Sequence, residues 1–150
     1  MTSIRRATTD DLPVLCALLG HLFAQEVEFT PDANAQARGL RRIIESPEGG
    51  DILVLCEHGA PIGMVNLLYL TSTALGSKVA LLEDMIIAPA HRGAGHGNRL
   101  LDAAIAHARL QGCRRITLLT DSDNAIGQRF YARHGFTPSS MLAMRRMLDD

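Results

Sequence analysis

The feature that most constrains the fold is a glycine-rich turn between an apolar run and a helical pattern. The turn is Arg92-Gly93-Ala94-Gly95-His96-Gly97, and the apolar run at residues 79–88 precedes it. Apolar residues then recur at helical spacing over residues 95–111, and a second apolar run covers residues 116–120. Strand, turn, helix and strand make a crossover connection. The two strands are therefore expected to be parallel neighbours in one sheet.

The chain before this unit predicts the other strands. Residues 51–57 and 62–70 are rich in Ile, Val and Leu and flank the break His58-Gly59-Ala60-Pro61, which indicates an antiparallel hairpin. Residues 4–7 fit a first strand. The predicted fold class is α/β with an α+β mixed sheet, mostly antiparallel with a parallel fourth and fifth strand. Further elements are expected as helices after Thr8-Thr9, at 32–45 and at 124–134, a buried strand at 116–120, and a closing strand at 141–148.

Composition narrows the class of protein. The chain has 150 residues, 47% of them hydrophobic and 21% charged, which fits a single globular domain over residues 1–150. A formal net charge of -1 gives no general attraction for nucleic acid or an anionic membrane. No signal peptide or membrane-length apolar run is present, and Cys16, Cys56 and Cys113 are odd in number and widely spaced. We therefore expect a cytoplasmic protein without nucleic-acid or membrane partners.

The turn itself predicts an anion site. Backbone N–H groups between a strand and a helix N-terminus lack intrahelical partners, so several can point at one phosphate. The pattern of a P-loop is absent, and the dinucleotide pattern GxGxxG fails because Asn98 stands at its third glycine. A tight turn that merely caps a helix is the alternative without function.

The motif in and around the turn resembles that of the GNAT family of N-acetyltransferases. Arg92, Gly95 and Gly97 match the family's coenzyme A motif Q/R-x-x-G-x-G/A. The segment Leu82-Glu83-Asp84-Met85-Ile86-Ile87-Ala88-Pro89 looks like its fourth strand, and Asn124 through Tyr131 to Gly135-Phe136 looks like its next motif.

The resemblance implies a GNAT-like acyl-CoA N-acyltransferase fold with acetyl-CoA as co-substrate. The fourth and fifth strands are expected to splay apart, and the pantetheine arm would lie in the gap. The residues implied to hold the coenzyme are Met85, Ile86 and Ile87 through their backbone, then Arg92, Gly93, Ala94, Gly95, His96, Gly97 and Asn98 at the turn, and Asn124. Asn124 is also expected to cap its helix.

Two residues are the candidates for catalysis. Glu83 is a carboxylate in an otherwise apolar strand, where desolvation would be costly, so it is the first candidate for a general base that deprotonates an amine. Asp84 points to the opposite face of a regular strand, but a bulge would exchange the two roles. The resemblance implies that Tyr131 faces the coenzyme sulfur and protonates the departing thiolate.

The acceptor is expected to be a primary amine of a small molecule or peptide. Candidate acceptor contacts lie outside the motifs, at Glu26, Glu28, Phe29, Tyr69 and Thr73. The six histidines form no HxH, HExxH or Cys/His pattern, so we expect no metal. A homodimer through an edge strand at 141–148 is expected by analogy with the family. A non-catalytic acyl-CoA binding or sensing module and a dinucleotide-dependent oxidoreductase remain as alternatives, the latter disfavoured by the broken GxGxxG pattern.

Overall fold

A computed structural model describes residues 1–25 and 31–149, which form two compact units, Met1–Leu119 and Thr120–Asp150. The prediction of one domain over residues 1–150 stays a prediction. In the first unit the strands are β1 (Thr2–Arg6), β2 (Gly50–Glu57), β3 (Ala60–Ser72), β4 (Ser77–Ile87) and β5 (Ile116–Leu118), and the helices are α1 (Leu12–Gln25), α2 (Ala33–Ile44) and α3 (His96–Leu110). The second unit contains α4 (Ala125–Arg133).

The sheet has the order β1-β2-β3-β4-β5. The first four strands pair antiparallel, and β5 pairs parallel with β4 through Ala80–Leu82 and Ile116–Leu118. The mixed sheet and the parallel crossover through α3 are therefore confirmed. The crossover places the glycine turn at the end of β4, where the chain leaves the sheet to enter α3.

The helices begin where the sequence provides caps. Oδ1 of Asp32 accepts hydrogen bonds from the backbone N–H groups of Asn34 and Ala35, both at 3.1 Å, and so closes the N-terminus of α2. A single 3₁₀ turn at Thr9–Asp11 leads into α1. The carboxylate of Asp11 accepts from the N–H of Thr8 and from both Nη atoms of Arg5, each at 2.8 Å. The paired hydrogen bonds between Arg5 and Asp11, called the fork below, connect β1 to the start of α1.

The two faces of the sheet are buried by different helices. On one face, α1 and α2 cover alternate residues of the central strands, because successive side chains of a strand point to opposite sides. On the other face, α3 packs against β2, β3 and β4. Each buried leucine contributes about 1.5–3 kcal/mol of burial free energy. The core residues on the α1 and α2 face include Leu15, Leu19, Leu40, Val54, Met64 and Ile86.

A β-bulge interrupts β4 next to the middle of the sheet. Asn66 pairs with Glu83 and Met64 pairs with Ile86. Between these two pairs β3 has one residue, Val65, whereas β4 has two, Asp84 and Met85. Asp84 lies in this bulge with φ of 55°, in the left-handed region that only short polar residues and glycine enter readily. The sequence analysis considered a bulge at Glu83 and Asp84, and the structure contains one.

Two expectations about strands are wrong. Residues 141–149 form no strand, and their apolar side chains are exposed, with Met144 95% accessible. The segment Met-Leu-Ala-Met-Arg-Arg-Met-Leu lacks the alternation of a half-buried strand, so the edge strand expected to support a homodimer is missing. The buried strand predicted at 116–120 is shorter, covering only Ile116–Leu118, and its side chains are half-buried or exposed. Leu119, predicted to be part of it, is exposed.

Candidate active site

The glycine turn presents a row of backbone donors. Gly93 and Gly95 have φ of 87° and 81°, and a Cβ on either would meet no atom within 4 Å. Within the described part of the chain, the N–H groups of residues 93–97 donate to no backbone carbonyl. These donors lie just before α3 and in its first turn, and the helix dipole places partial positive charge at the same point. The turn therefore fits a pyrophosphate, and open space surrounds its glycines.

The ring of His96 anchors this turn to the sheet. His96 is 6% exposed, and its Nε2 lies 3.4 Å from Oε2 of Glu57, at the end of β2. Its Nδ1 lies 3.2 Å from Nη1 of Arg99, one turn further along α3. The sequence pointed to the backbone of His96 and missed Glu57, because a partner in β2 leaves no local signal. His96 thus fixes the first turn of α3 through its side chain.

The strand before the turn has an open edge. Pairing between β4 and β5 ends at Leu82 and Leu118, whereas β4 continues to Ile87. The backbone of residues 83–87 therefore has no ladder partner on the β5 side within the described chain. Nε of Arg92 donates to the carbonyl oxygen of Ile87 at 3.1 Å, which joins the end of this edge to the turn. An extended ligand with amide groups could add to such an edge as a strand does.

A cavity of about 280 Å³ lies beneath α1 and α2 in the first unit. Nδ2 of Asn66 donates a 2.6 Å hydrogen bond to Oδ2 of Asp84 at its floor, so the bulge turns the Asp84 carboxylate toward a buried amide. The polar lining residues are Asp32, Gln36, Asn66 and Asp84. The apolar lining residues are Leu19, Phe23, Ala35, Gly39, Leu40 and Ile43.

Two polar atoms of this lining have no partner among the residues that the structure describes. Nε2 of Gln36 and Oδ1 of Asn66 are buried and make no hydrogen bond there. Gln36 and Asn66 are 8% and 1% exposed. An unpaired buried donor or acceptor costs about 1–3 kcal/mol, so each is a natural contact for a polar group of a ligand.

The two adjacent carboxylates of β4 lie in different surroundings. Glu83 is exposed and does not line the cavity, so the expected desolvation of its carboxylate is wrong. Asp84 is half-buried and lines it. The cause is the bulge, which shifts the strand by one residue between these positions.

Tyr69 is also placed differently from the prediction. It does not line the cavity, and its hydroxyl donates to Oδ2 of Asp51, which also lies 2.7 Å from Nε2 of His107 in α3. Because side chains alternate along β3, Tyr69 faces α3 while Asn66 faces the cavity. Burial, together with the hydrogen bond to Asp51, raises the pKa of Tyr69. Tyr69 therefore lies on the α3 face of the sheet, and its predicted contact with the acceptor stays a prediction.

Tyr131 and Asn124 belong to the second unit. Oδ1 of Asn124 accepts from the N–H of Gly127 at 3.0 Å, so its predicted role as a helix cap is confirmed. The half-buried ring of Tyr131 packs edge-on against Phe130 and Phe136, with ring centroids 5.2 and 5.8 Å away. Glu26, Glu28 and Phe29, predicted as acceptor contacts, lie outside the described residues.

Neither a metal centre nor a membrane segment is found in residues 1–25 and 31–149. No group of three or more His, Cys, Asp or Glu side chains there could hold a metal ion. None of the helices in these ranges has the length and apolar character needed to cross a membrane.

Solved structures share this fold. An acetyltransferase from Trypanosoma brucei matches with a TM-score of 0.75 and 26% identity, covering 99% of this chain and 100% of that chain. A protein from Clostridium acetobutylicum, described as a predicted acetyltransferase and solved with acetyl-CoA, matches with a TM-score of 0.79 and 17% identity, covering 97% and 96%. The fold is that of an acetyltransferase.

Sequence relatives give the same class and the family. The uncharacterized N-acetyltransferase YhfO from Bacillus subtilis is 31% identical over 137 residues, 89% of each protein. The aminoalkylphosphonate N-acetyltransferase of Salmonella typhimurium is 26% identical over 136 residues, covering 91% of this chain and 85% of that one. The model of the acetyltransferase (GNAT) family matches residues 17–136. The chain belongs to the GNAT family of acyltransferases.

Proposed function

We propose that this protein transfers an acetyl group directly from acetyl-CoA to a primary amine of a small molecule or peptide. The observation that carries the proposal is the continuity of two sets of backbone groups. The open edge of β4 after Leu82 leads into the N–H groups of residues 93–97, which donate to no backbone carbonyl within the described residues. An extended arm with amides and a pyrophosphate at its end matches both sets.

With acetyl-CoA as the donor, each part of the coenzyme is assigned to named residues. The N–H groups of the turn would bind the pyrophosphate, with Arg92 at the rim, and the backbone of Met85, Ile86 and Ile87 would bind the pantetheine amides. Asn98 and Asn124 complete the proposed set. The presence of acetyl-CoA in the Clostridium acetobutylicum structure supports this choice of donor.

The cavity provides the acceptor side. An ammonium group must lose a proton before its nitrogen can attack the thioester carbonyl carbon. Since Asp84 lines the cavity and Glu83 is exposed, we assign the base to Asp84 and keep Glu83 as the alternative. The nitrogen then forms the amide bond as the carbon–sulfur bond breaks, and the second proton that the nitrogen loses replaces the one that the thiolate takes up. The departing thiolate takes a proton, for which Tyr131 is the proposed donor on the strength of the motif resemblance.

Direct transfer needs no nucleophile on the protein, and the cysteines agree with this. Cys16, Cys56 and Cys113 are free thiols, and burial raises the pKa of Cys16 and of Cys113. A raised thiol pKa leaves less of the reactive thiolate. Free thiols also favour a reducing compartment, so the cytoplasm is the proposed location.

The decisive experiment measures release of the coenzyme A thiol from acetyl-CoA across a panel of amines. Turnover of at least one amine, with coenzyme binding in calorimetry, is the expected result. Coenzyme binding without turnover of any amine would contradict the proposed enzyme activity and indicate an acyl-CoA sensing module. Binding of NAD in place of coenzyme A would remove the donor assignment.

Three variants assign the catalytic roles. Asp84→Asn keeps a residue that tolerates the left-handed backbone, so its loss of turnover reports the missing base, by about 100-fold or more at neutral pH. Glu83→Gln is the neighbouring control and should retain turnover; the reverse pattern would assign the base to Glu83. Tyr131→Phe should lower kcat by about 100-fold with little change in acceptor KM, because its proposed action is on the leaving thiolate.

A further inference from the structure

Two buried amide side chains line the cavity beneath α1 and α2, and each has one atom left unpaired. Gln36 comes from α2 and Asn66 from β3, and they are 8% and 1% exposed. Among the described residues, Nε2 of Gln36 and Oδ1 of Asn66 make no hydrogen bond. Because burial keeps these atoms from water, apolar side chains would serve better at both positions if packing were their only role. The two atoms therefore indicate a ligand that pairs with them.

The orientation of the Asn66 amide is fixed by its neighbour. Its Nδ2 donates to Oδ2 of Asp84 at 2.6 Å, and the reverse orientation would place two oxygen acceptors against each other. Oδ1 of Asn66 is therefore an acceptor, which only a ligand N–H or O–H group can satisfy. Nε2 of Gln36, as oriented in the structure, is a donor, which a ligand oxygen can satisfy. Together the two amides require one donor and one acceptor.

Few small chemical groups meet both requirements. A carboxylate only accepts, an ammonium only donates and an alkyl group does neither, whereas a hydroxyl or a carboxamide does both. The cavity has about 280 Å³, and six of its ten lining residues are apolar or glycine. One small molecule with a short carbon chain can therefore contact both amides and leave its chain against the apolar walls.

We propose that the acceptor amine carries, on a short carbon chain, a neutral group that both donates and accepts hydrogen bonds, as a carboxamide or a hydroxyl does. Asn66 accepts from the N–H or O–H of this group, and Gln36 donates to its oxygen. The amine at the other end of the chain is left for Asp84, the proposed base. Gln36 and Asn66 are then specificity-determining residues. This inference rests on the proposed function and specifies the substrate class of the same cavity.

The test uses a set of amines of one shape in the thiol-release assay on the full chain. N-methyl-β-alaninamide has a carbonyl oxygen and an N–H group, methyl β-alaninate has the carbonyl oxygen alone, and 3-methylpentylamine has neither. We expect kcat/KM to fall by about 10-fold or more from the amide to the ester, and again from the ester to the alkylamine, because each step leaves a buried group unpaired in the complex. Homologues with one methylene fewer or more test the same order at other chain lengths.

A Gln36→Met variant separates acceptor recognition from a structural role. Met has a similar shape and helix propensity but no donor, so the ester should lose its advantage over the alkylamine, while the amide keeps its advantage over the ester. The same amines are compared in variant and parent, so differences in amine basicity cancel. Without acceptor, the variant should unfold at a higher temperature than the parent, because a buried unpaired amide has been removed.

The matched control is Gln111→Met. Gln111 follows the end of α3, is half-buried and does not line the cavity. Its replacement should leave the ratio of kcat/KM between ester and alkylamine at the value of the parent.

The outcomes separate this inference from the function on which it rests. Equal kcat/KM for the three amines at every chain length would overturn the inference and leave the acetyltransferase intact. Equal turnover of amide and ester would contradict the pairing proposed for Asn66. A lower unfolding temperature of Gln36→Met would show that the Gln36 amide already has a partner in the free protein, which is incompatible with the proposal. Turnover of no amine at all, with coenzyme A still bound, would contradict the proposed function itself.

Discussion

The hydroxyl of Tyr69 donates a hydrogen bond of 2.5 Å to Oδ2 of Asp51, and this contact joins β3 to β2 beneath α3. Asp51 is 5% exposed and receives two further partners. Nε of Arg6 in β1 lies 3.1 Å from its Oδ1, and Nε2 of His107 in α3 lies 2.7 Å from its Oδ2. One buried carboxylate thus connects three strands and a helix.

Removing the Tyr69 hydroxyl should weaken the fold and spare acceptor binding. Tyr69→Phe keeps the ring, whose centroid lies 5.0 Å from Nζ of Lys78, and loses only the bond to Asp51. We expect the free energy of unfolding to fall by about 1–2 kcal/mol, since a hydrogen bond to a charged group is lost. Urea unfolding measures this loss. A raised acceptor KM at unchanged stability would instead return Tyr69 to the acceptor site.

The fork between Arg5 and Asp11 predicts a pH dependence of stability. The hydrogen bonds from Arg5 hold the pKa of Asp11 below its usual range. A lowered carboxyl pKa contributes stability that is fully present above the unfolded value near 3.9 and is lost as pH falls through the folded pKa. Asp11→Asn should therefore cost about 1–2 kcal/mol at pH 7, and its difference from the parent should shrink below pH about 4.

The control for this pH profile is Asp10→Asn. Asp10 neighbours Asp11 in the same turn but is exposed, so its removal should leave the stability profile near that of the parent. Chemical denaturation at a series of pH values measures both variants. An Asp11→Asn deficit that stays constant down to pH 2 would show that packing rather than charge is lost.

The two ends of α3 allow backbone strain to be separated from coenzyme binding. Gly95 at the start and Gly112 after the end have φ of 81° and 86°, and neither would place a Cβ within 4 Å of another atom. Alanine at either position should lower stability by about 1–2 kcal/mol, because both positions are left-handed. Only Gly95→Ala should also weaken coenzyme A binding, measured by calorimetry. Equal affinity of the two variants for coenzyme A would contradict the proposal that the turn binds the coenzyme.

A second glycine pair tests the cavity. A Cβ added to Gly20 in α1 or to Gly39 in α2 would meet no atom within 4 Å, but only Gly39 lines the cavity. Alanine should stabilise either helix by about 0.5–1 kcal/mol. Gly39→Ala should in addition raise the KM of the bulkier amines, with Gly20→Ala unchanged from the parent. Thermal unfolding and acceptor kinetics measure the two effects, and matching kinetics in both variants would place the acceptor elsewhere.

The sequence predicted the elements that depend on local chemistry. The glycine turn, the cap at Asn124 and the hairpin at His58-Gly59 were found because turn and cap residues act within a few positions of themselves. Apolar periodicity also indicated the buried face of α3, since Leu101, Ala104 and Ala108 are buried as expected. Such features need no knowledge of the rest of the fold.

The parts that the sequence did not predict depend on contacts between distant elements. Which of Glu83 and Asp84 faces the cavity is decided by a register shift against β3, and two adjacent carboxylates carry no sign of it. The positions of Tyr69 and His96 depend on Asp51 and Glu57 in β2. The apolar residues at 141–148 suggested a strand, although the pattern there does not alternate.

The left-handed backbone at Asp84 limits which substitutions this position can accumulate over evolutionary time. Residues with a branched or bulky Cβ are disfavoured at φ of 55°, whereas Asn and Gly enter this region readily. The smallest available changes therefore remove the charge of Asp84 and leave the shape of the sheet intact. With Asp84 as the proposed base, loss of acetyl transfer with retained coenzyme binding would need one mutation, and non-catalytic descendants of such a chain should carry Asn or Gly at this bulge.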